Sequence, residues 1–161
     1  MQHSHLPGDI AVEPLAWHPH AIEILRQWFE AQWPDYYGAG GRGSALQDLQ
    51  ACARLGSLPI GMVALQAGRV CGVAALKAQS IASHAHLCPW AAAGLVDPGM
   101  RGRGIGAALL RAVEEQAREL GFERIHCATS TAHGLLRRQG WMPLEVVVHD
   151  GERVAVYVKA L

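Results

Sequence analysis

The sequence predicts a single α+β domain, a mixed sheet with helices on both faces, and three observations carry that reading. β-rich runs flank tight-turn signals at Ala67-Gly68-Arg69 and at Asp150-Gly151, so antiparallel hairpins stand towards both ends of the chain. Between them lies one strand–helix–strand unit, whose helical stretch from Ile105 to Leu120 has the clearest periodicity in the sequence. The 161 residues, 50% hydrophobic and 17% charged, are enough for one well-buried core.

Each element follows in order. Ile10 to Pro14 reads as a first strand. From Pro19 onward Ala21, Ile22, Leu25, Trp28 and Phe29 recur at helical spacing and turn one apolar stripe inward, until Pro34 ends the pattern. "WPDYYGAGGRG" is then a loop rich in glycine and aromatics, and Ala45 to Leu55 a second helix stopped at Gly56. "PIGMVALQAGRVCGVAALKA" forms the first hairpin. "HAHLCPWAAAGLV" is a further strand in which Pro89 calls for a bulge or a local break in pairing. In the central helix Ile105, Ala108, Leu109, Ala112, Val113, Gln116, Ala117 and Leu120 share the buried face, and Gly121 caps it. Arg124 to Thr129 is a strand, Ala132 to Gln139 a short helix closed by Gly140, and Leu144 to His149 with Val154 to Val158 the last hairpin.

Composition excludes several function classes. Fourteen basic and fourteen acidic residues leave no net charge, so no global field draws nucleic acid or a membrane surface. No apolar run reaches the ~18 residues of a membrane span, and "MQHSHLPGDIAVEP" lacks the basic-then-apolar order of a signal peptide. A cytoplasmic protein is expected. Cys52, Cys71, Cys88 and Cys127 lie far apart among apolar neighbours and read as reduced core residues. Three H-x-H pairs, His3/His5, His18/His20 and His84/His86, could each put two rings on one face. No carboxylate or cysteine supports them at ligand spacing, so no metal is expected.

The chemistry concentrates in "DPGMRGRGIGAALL", residues 97 to 110. A Walker A loop is excluded, because the lysine and hydroxyl it needs are missing. Gly102, Gly104 and Ala107 match a dinucleotide fingerprint formally. That fingerprint wants the strand to run straight into the first glycine within an extended parallel sheet, whereas Asp97 to Arg101 intervene and hairpins precede. What remains is an anion held at the start of a helix. The first turn of a helix leaves its N–H groups unpaired, its dipole puts about half a positive charge there, and glycines let a diphosphate approach without Cβ clashes.

Strand, "VDPGMRGRGIG", then a long amphipathic helix resembles the central motif of the GNAT superfamily of acyl-CoA-dependent N-acyltransferases. The family pattern [QR]-x-x-G-x-[GA] falls on Arg101, Gly104 and Gly106. The element order, "PWAAAGLV" before the loop and "LLRRQGWMPLE" after it, extends the resemblance over essentially the whole chain. It implies a mostly antiparallel central sheet of about seven strands with a splayed central pair, in one domain over residues 1–161, with residues 1–8 as a flexible tail. It implies acetyl-CoA as acyl donor, held by Arg101, Gly102, Arg103, Gly104, Ile105, Gly106 and Ala107. The pantetheine arm would pair with Leu95 and Val96 in the splayed opening, one of which would polarise the thioester carbonyl.

The family tyrosine that protonates the departing thiolate is replaced here by Leu136 in "LLRRQGW". A positioned acid contributes ~10²–10⁴ in rate, yet a thiol with a pKa near ~8.5 leaves tolerably without one. Water, His133, Thr131 or Tyr157 could supply the proton. For the base, His84, His86 and Asp35 are candidates, with His86 preferred, since imidazole suits accepting a proton near neutral pH. His126 alternates with apolar residues and reads as structural. By resemblance the acceptor, a small-molecule amine or a peptide N-terminus, lies between the loop from Trp33 to Gly43 and the last hairpin. Trp33, Asp35, Tyr36 and Tyr37 would receive a cation there, and Trp90 would line the same cleft. A non-catalytic acyl-CoA-binding module is the alternative favoured by Leu136, and a Rossmann-like reductase runs third. The protein is expected as a monomer or a homodimer.

Overall fold

The computed structural model describes residues 4–6 and 10–161. Eight strands form one sheet in the order β1-β2-β3-β4-β5-β6-β8-β7. They are β1 (Ser4–Leu6), β2 (Ile10–Pro14), β3 (Ile60–Gln66), β4 (Arg69–Lys77), β5 (Trp90–Val96), β6 (Arg124–Thr129), β7 (Met142–His149) and β8 (Glu152–Ala160). Only β5 and β6 run parallel; every other neighbouring pair is antiparallel. Of the tail expected over residues 1–8, Ser4–Leu6 pair with β2 as an eighth strand, and the remainder lies outside the described residues.

Five helices pack on this sheet: α1 (Ala21–Gln32), α2 (Pro34–Tyr37), α3 (Ala45–Cys52), α4 (Ile105–Glu119) and α5 (His133–Arg138). On one face α1 buries Ala21, Leu25 and Phe29, and α3 buries Ala45, Leu49 and Cys52, against Val63, Leu65, Val73 and Ala75. On the other, α4 lays Ile105, Ala108, Leu109, Val113 and Ala117 over Met62, Ala64, Cys71 and Ala74. Alternate residues of β3 serve opposite cores, and so do those of β4 once the bulge opposite Ala64 and Leu65 has reset its alternation, which is why these strands are apolar on both faces. Gly72 makes the α4 contact close. A Cβ there would stand 2.8 Å from Leu109 Cδ1.

The second helix ends at Cys52, short of the expected Leu55, and starts at Ala45 after Ser44, whose Oγ accepts the Gln47 N–H at 3.2 Å as an N-cap. The aromatic loop contains a helical turn, α2, where no structure was expected. The segment "HAHLCP" is not strand. Ala82–His84 form a single 3₁₀ turn, and β5 begins only at Trp90, after the cis Cys88–Pro89 peptide. His84 and His86 therefore stand before the central strand and not on it.

One feature of the sheet positions everything that follows. β5 and β6 pair only at Trp90↔His126 and Ala91↔Cys127, and then part. A bulge helps to turn β5 away: Ala93 has φ +56°, and the β4–β5 register shifts between Val73 and Ala75.

Candidate active site

The fork between β5 and β6 leads directly to the glycine loop. Asp97 ends β5, its N–H donating to Cys71 O at 2.9 Å and its Oδ1 accepting the Gly99 N–H at 3.0 Å. Met100 is buried and anchors the turn, whereas Arg101, Gly102, Arg103 and Gly104 are all exposed. Gly104, at φ +80°, is the N-cap of α4, and no side chain caps the helix. The helix's own bonding starts with Ala108 N–H to Gly104 O at 3.1 Å, so the N–H groups of Ile105, Gly106 and Ala107 have no partner within the helix. No acidic residue stands in that first turn to quench its positive end. A Cβ built on Gly102 or Gly104 would meet no atom within 4 Å, so the space above the loop is open and a side chain at Gly104 would fill it. The residues from Arg101 to Ala107 thus form an uncapped cationic turn with backbone donors, which fits a diphosphate.

Along a strand successive N–H groups alternate sides. Because Asp97 bonds to β4, the Leu95 N–H, opposite Val73, also points to β4, and the Val96 N–H points into the fork. Leu95, expected as a donor to the pantetheine arm, is therefore turned away from it. Val96 alone of the two faces the opening. The loop is also held close to α5: a Cβ on Gly106 would lie 3.4 Å from Leu135 Cδ2 and 3.9 Å from Val96 Cγ2.

On the far wall of the fork, Cys127 pairs with Tyr157 of β8. The Tyr157 ring is buried, and its hydroxyl lies 3.0 Å from Nδ1 of His133, the first residue of α5. The His133 Nε2 lies 3.2 Å from Ser130 O. Thr129 Oγ1 accepts from Thr131 N at 3.1 Å and Ala132 N at 2.9 Å, fixing the turn into α5. Leu136 is 1% exposed and apolar, and carries no proton. Burial pushes the Cys127 thiol up to about 12.

Residues 22–141 match the sequence model of the Acetyltransferase (GNAT) family. The chain belongs to the GNAT acetyltransferase family. Solved structures agree on the fold. Aminoglycoside 6'-acetyltransferase type Ii is 14% identical at a TM-score of 0.74, with 92% of this chain and 96% of that one covered. An aminoglycoside 6'-N-acetyltransferase complexed with coenzyme A is 12% identical at 0.72, covering 99% and 97%. The protein yncA from Salmonella typhimurium, solved with its cofactor acetyl-CoA, is 15% identical at 0.71, covering 95% and 94%. No curated protein matches the sequence.

The residues expected on the acceptor side of this GNAT chain are more dispersed than its sequence suggests. Trp33 packs edge-on against Phe29 at 5.3 Å and lies 6.2 Å from Tyr37, half-buried in the α1–α3 core. The Tyr37 hydroxyl donates to Asp48 Oδ2 at 2.6 Å, and burial, reinforced by that carboxylate, pushes its pKa up. Tyr36 is exposed, but the Arg42 guanidinium sits 5.5 Å above its ring and occupies the face expected to take a cation. Arg42 also lies 3.8 Å from Asp150, linking this loop to the tip of the last hairpin. Asp35 is exposed on α2. Trp90 corrects the expectation of a cleft wall: it is fully buried with Ile81 and Val156, its Nε1 donating to Leu87 O at 2.8 Å.

His84 is buried as well. Its Nε2 bonds to Glu145 Oε1, its Nδ1 lies 2.8 Å from Ser83 Oγ, and His86 stacks on it at 5.8 Å while staying exposed. His126 is buried with Nδ1 3.2 Å from Pro89 O, a structural role. Two features went unseen in the sequence. One is the Glu145 partner of His84. The other is a small cavity of about 10 Å³ between α1, α3 and the sheet, lined by Phe29, Asp48, Lys77 and Ala93 among others. Neither has a local sequence signal, since each joins residues far apart in the chain. Among the described residues no group of three or more His, Cys, Asp or Glu side chains could hold a metal ion, and no helix is long and apolar enough to cross a membrane. The His3/His5 pair lies outside the residues whose side chains are described.

Proposed function

We propose that this protein is an acetyl-CoA-dependent N-acetyltransferase that moves an acetyl group to a primary amine by direct attack in a ternary complex. The observation that carries the proposal is the uncapped, glycine-gated N-terminus of α4 standing at the mouth of the β5–β6 fork. Backbone N–H groups from Arg101 to Ala107 would hold the diphosphate, with Arg101 and Arg103 adding charge, and the Val96 N–H would reach the acyl arm within the fork. An N–H aimed at the carbonyl where negative charge develops lowers the barrier most.

Direct attack is favoured over an acyl-enzyme because the thiol at the fork is not a nucleophile. Cys127, held up at about 12, has almost no thiolate at neutral pH. His86, exposed beside the buried His84–Glu145 pair, is the proposed acceptor of the amine proton, and His133 the proposed source of the proton that leaves with the thiol. Asp35, the exposed carboxylate of the aromatic loop, is the proposed attractor of a cationic acceptor. Two structural neighbours are named for acetylating aminoglycosides, which carry amines. Thiol release from acetyl-CoA, followed with a panel of polyamines, amino-sugars, small amines and peptide N-termini, tests the reading. Acetylated amine recovered by mass in step with thiol supports it; thiol released without acetylated amine from any member of the panel contradicts it.

A further inference from the structure

We infer that this protein forms a two-fold dimer in which the free edge of β7 pairs antiparallel with β7 of a second copy, joining the two eight-stranded sheets into one. β7 ends the sheet: β8 lies on one side of it, and among the described residues no strand lies on the other. Such an edge offers a row of bare N–H and C=O groups, which proteins ordinarily protect with lysine, with proline, by brevity or under a cover of chain. β7 is eight residues long and carries neither lysine nor arginine, and its one proline, Pro143, stands near its start. Its large apolar side chains are turned out. Met142 is 66% exposed, Leu144 50%, Val146 56% and Val148 70%.

The exposed groups stand on both faces of the sheet, which selects an added strand over a body lying on one face. Val146 and Val148 stand opposite Ala155 and Arg153, on the face that α4 covers, since Ala155 belongs to that core. Met142 stands opposite Val158 on the other face, where Val147 packs against the cluster of Ile81, Trp90 and Val156. The four side chains expose on the order of 400 Å², about half of the ~800 Å² that each partner gives to a stable interface. The main chain and flanking side chains of a paired strand supply the rest.

The strand is complementary to itself, and this names the occupant. Set antiparallel to its own copy about Val147, it brings Val147 against Val147, each Val146 against Val148 and each Glu145 against His149. Directly opposite residues share a face, so valine meets valine on the α4 side, and carboxylate meets imidazole on the other. Glu145 holds His84 through Oε1, which leaves Oε2 for this contact. Moving the axis to Val146 would set each Glu145 against Val147 and lose the match. A two-fold contact of this isologous kind closes on itself, so it stops at two copies and leaves β7 covered. The dimer stands apart from the acetyl-transfer reading.

Light scattering on a sizing column tests it, with the whole chain loaded at concentrations up to ~100 μM. The wild type should show twice the chain mass. Val146→Lys with Val148→Lys sets lysine against lysine twice across the axis and should weaken the dimer at least ~100-fold. Val146→Glu with Val148→Lys sets each glutamate against a lysine of the other copy and should restore it. Pairing about Val146 would not, because glutamate would then meet glutamate. A monomeric wild type overturns the inference, as does a dimer that the double lysine variant leaves unchanged or that the glutamate–lysine variant fails to restore. If the variants do not fold, amide exchange of the wild type decides. Edge-facing amides within residues 145–149 should gain protection as concentration rises through dimerisation. Protection that is the same at every concentration, as another segment of the chain lying on the edge would give, overturns the inference.

Discussion

The Lys159 ammonium lies 2.7 Å from Oε1 of Glu114, a carboxylate 2% exposed on the inner side of α4. Glu114 also accepts the Trp141 indole N–H at 3.2 Å, and Lys159 donates to Gln139 O at 2.8 Å. One buried charge pair thus ties α4 to β8 and to the turn after α5, three of the elements that surround the fork.

Removing Lys159 leaves the buried Glu114 carboxylate with the more distant Arg118 guanidinium, 3.9 Å away, in place of the close ammonium. Lys159→Met should destabilise the fold by about 3 kcal/mol, the low end for a broken buried pair because Lys159 is partly exposed. The double variant Glu114→Leu with Lys159→Met should recover much of that loss. Denaturant unfolding of the three variants measures it, and a double variant less stable than Lys159→Met contradicts this account of the pair.

His126 makes stability pH-dependent. Burial disfavours its charged form and lowers its pKa, outweighing the Pro89 carbonyl, with nearby Arg124 adding to the effect. The unfolded chain, with a histidine near ~6.5, then binds the proton more readily than the folded one. The contribution is therefore fully present above about pH 6.5 and is lost as pH falls towards the lower folded pKa. Between pH 7.5 and 5.5 the wild type should lose more stability than His126→Asn. Equal losses would show that this histidine is not a source of acid sensitivity.

Most of the architecture was legible because it is written in local patterns. α4 keeps its apolar face in strict helical spacing, and the turns at Ala67-Gly68 and Asp150-Gly151 take the positive φ that two-residue hairpins require. The glycine loop that opens α4 was legible for the same reason, since glycine and arginine spacing is a local property. What failed was tertiary. "HAHLCPW" has strand-like residues, but the chain packs His84 inward onto Glu145, sixty-one positions away, and so turns where a strand was expected. Trp90 reads as a cleft aromatic until the partners that bury it, Ile81 and Val156, are known. Leu95 and Val96 are indistinguishable in sequence, and only the Asp97–Cys71 bond assigns their N–H directions.

The acceptor side yields a paired expectation. Asp35 is exposed, so its attraction for an ammonium is screened and worth about 1 kcal/mol. Asp35→Asn should raise KM for a cationic amine about fivefold and leave KM for acetyl-CoA unchanged. His86→Ala should lower kcat instead, most visibly below pH 8, where free amine is scarce. Steady-state kinetics with a good acceptor separates the two effects, and wild-type behaviour in both variants places the acceptor elsewhere.

The most direct measurement is a calorimetric titration of coenzyme A into the wild type and Gly104→Val. The side chain would meet no protein atom, only the space above the loop, at a left-handed φ that a branched residue resists. The wild type should bind saturably. The folded variant should bind roughly a hundredfold more weakly or worse, since at least two charge-assisted hydrogen bonds of about 1.5–3 kcal/mol each are lost. Undiminished binding by a folded Gly104→Val, or no binding by the wild type, would contradict the account.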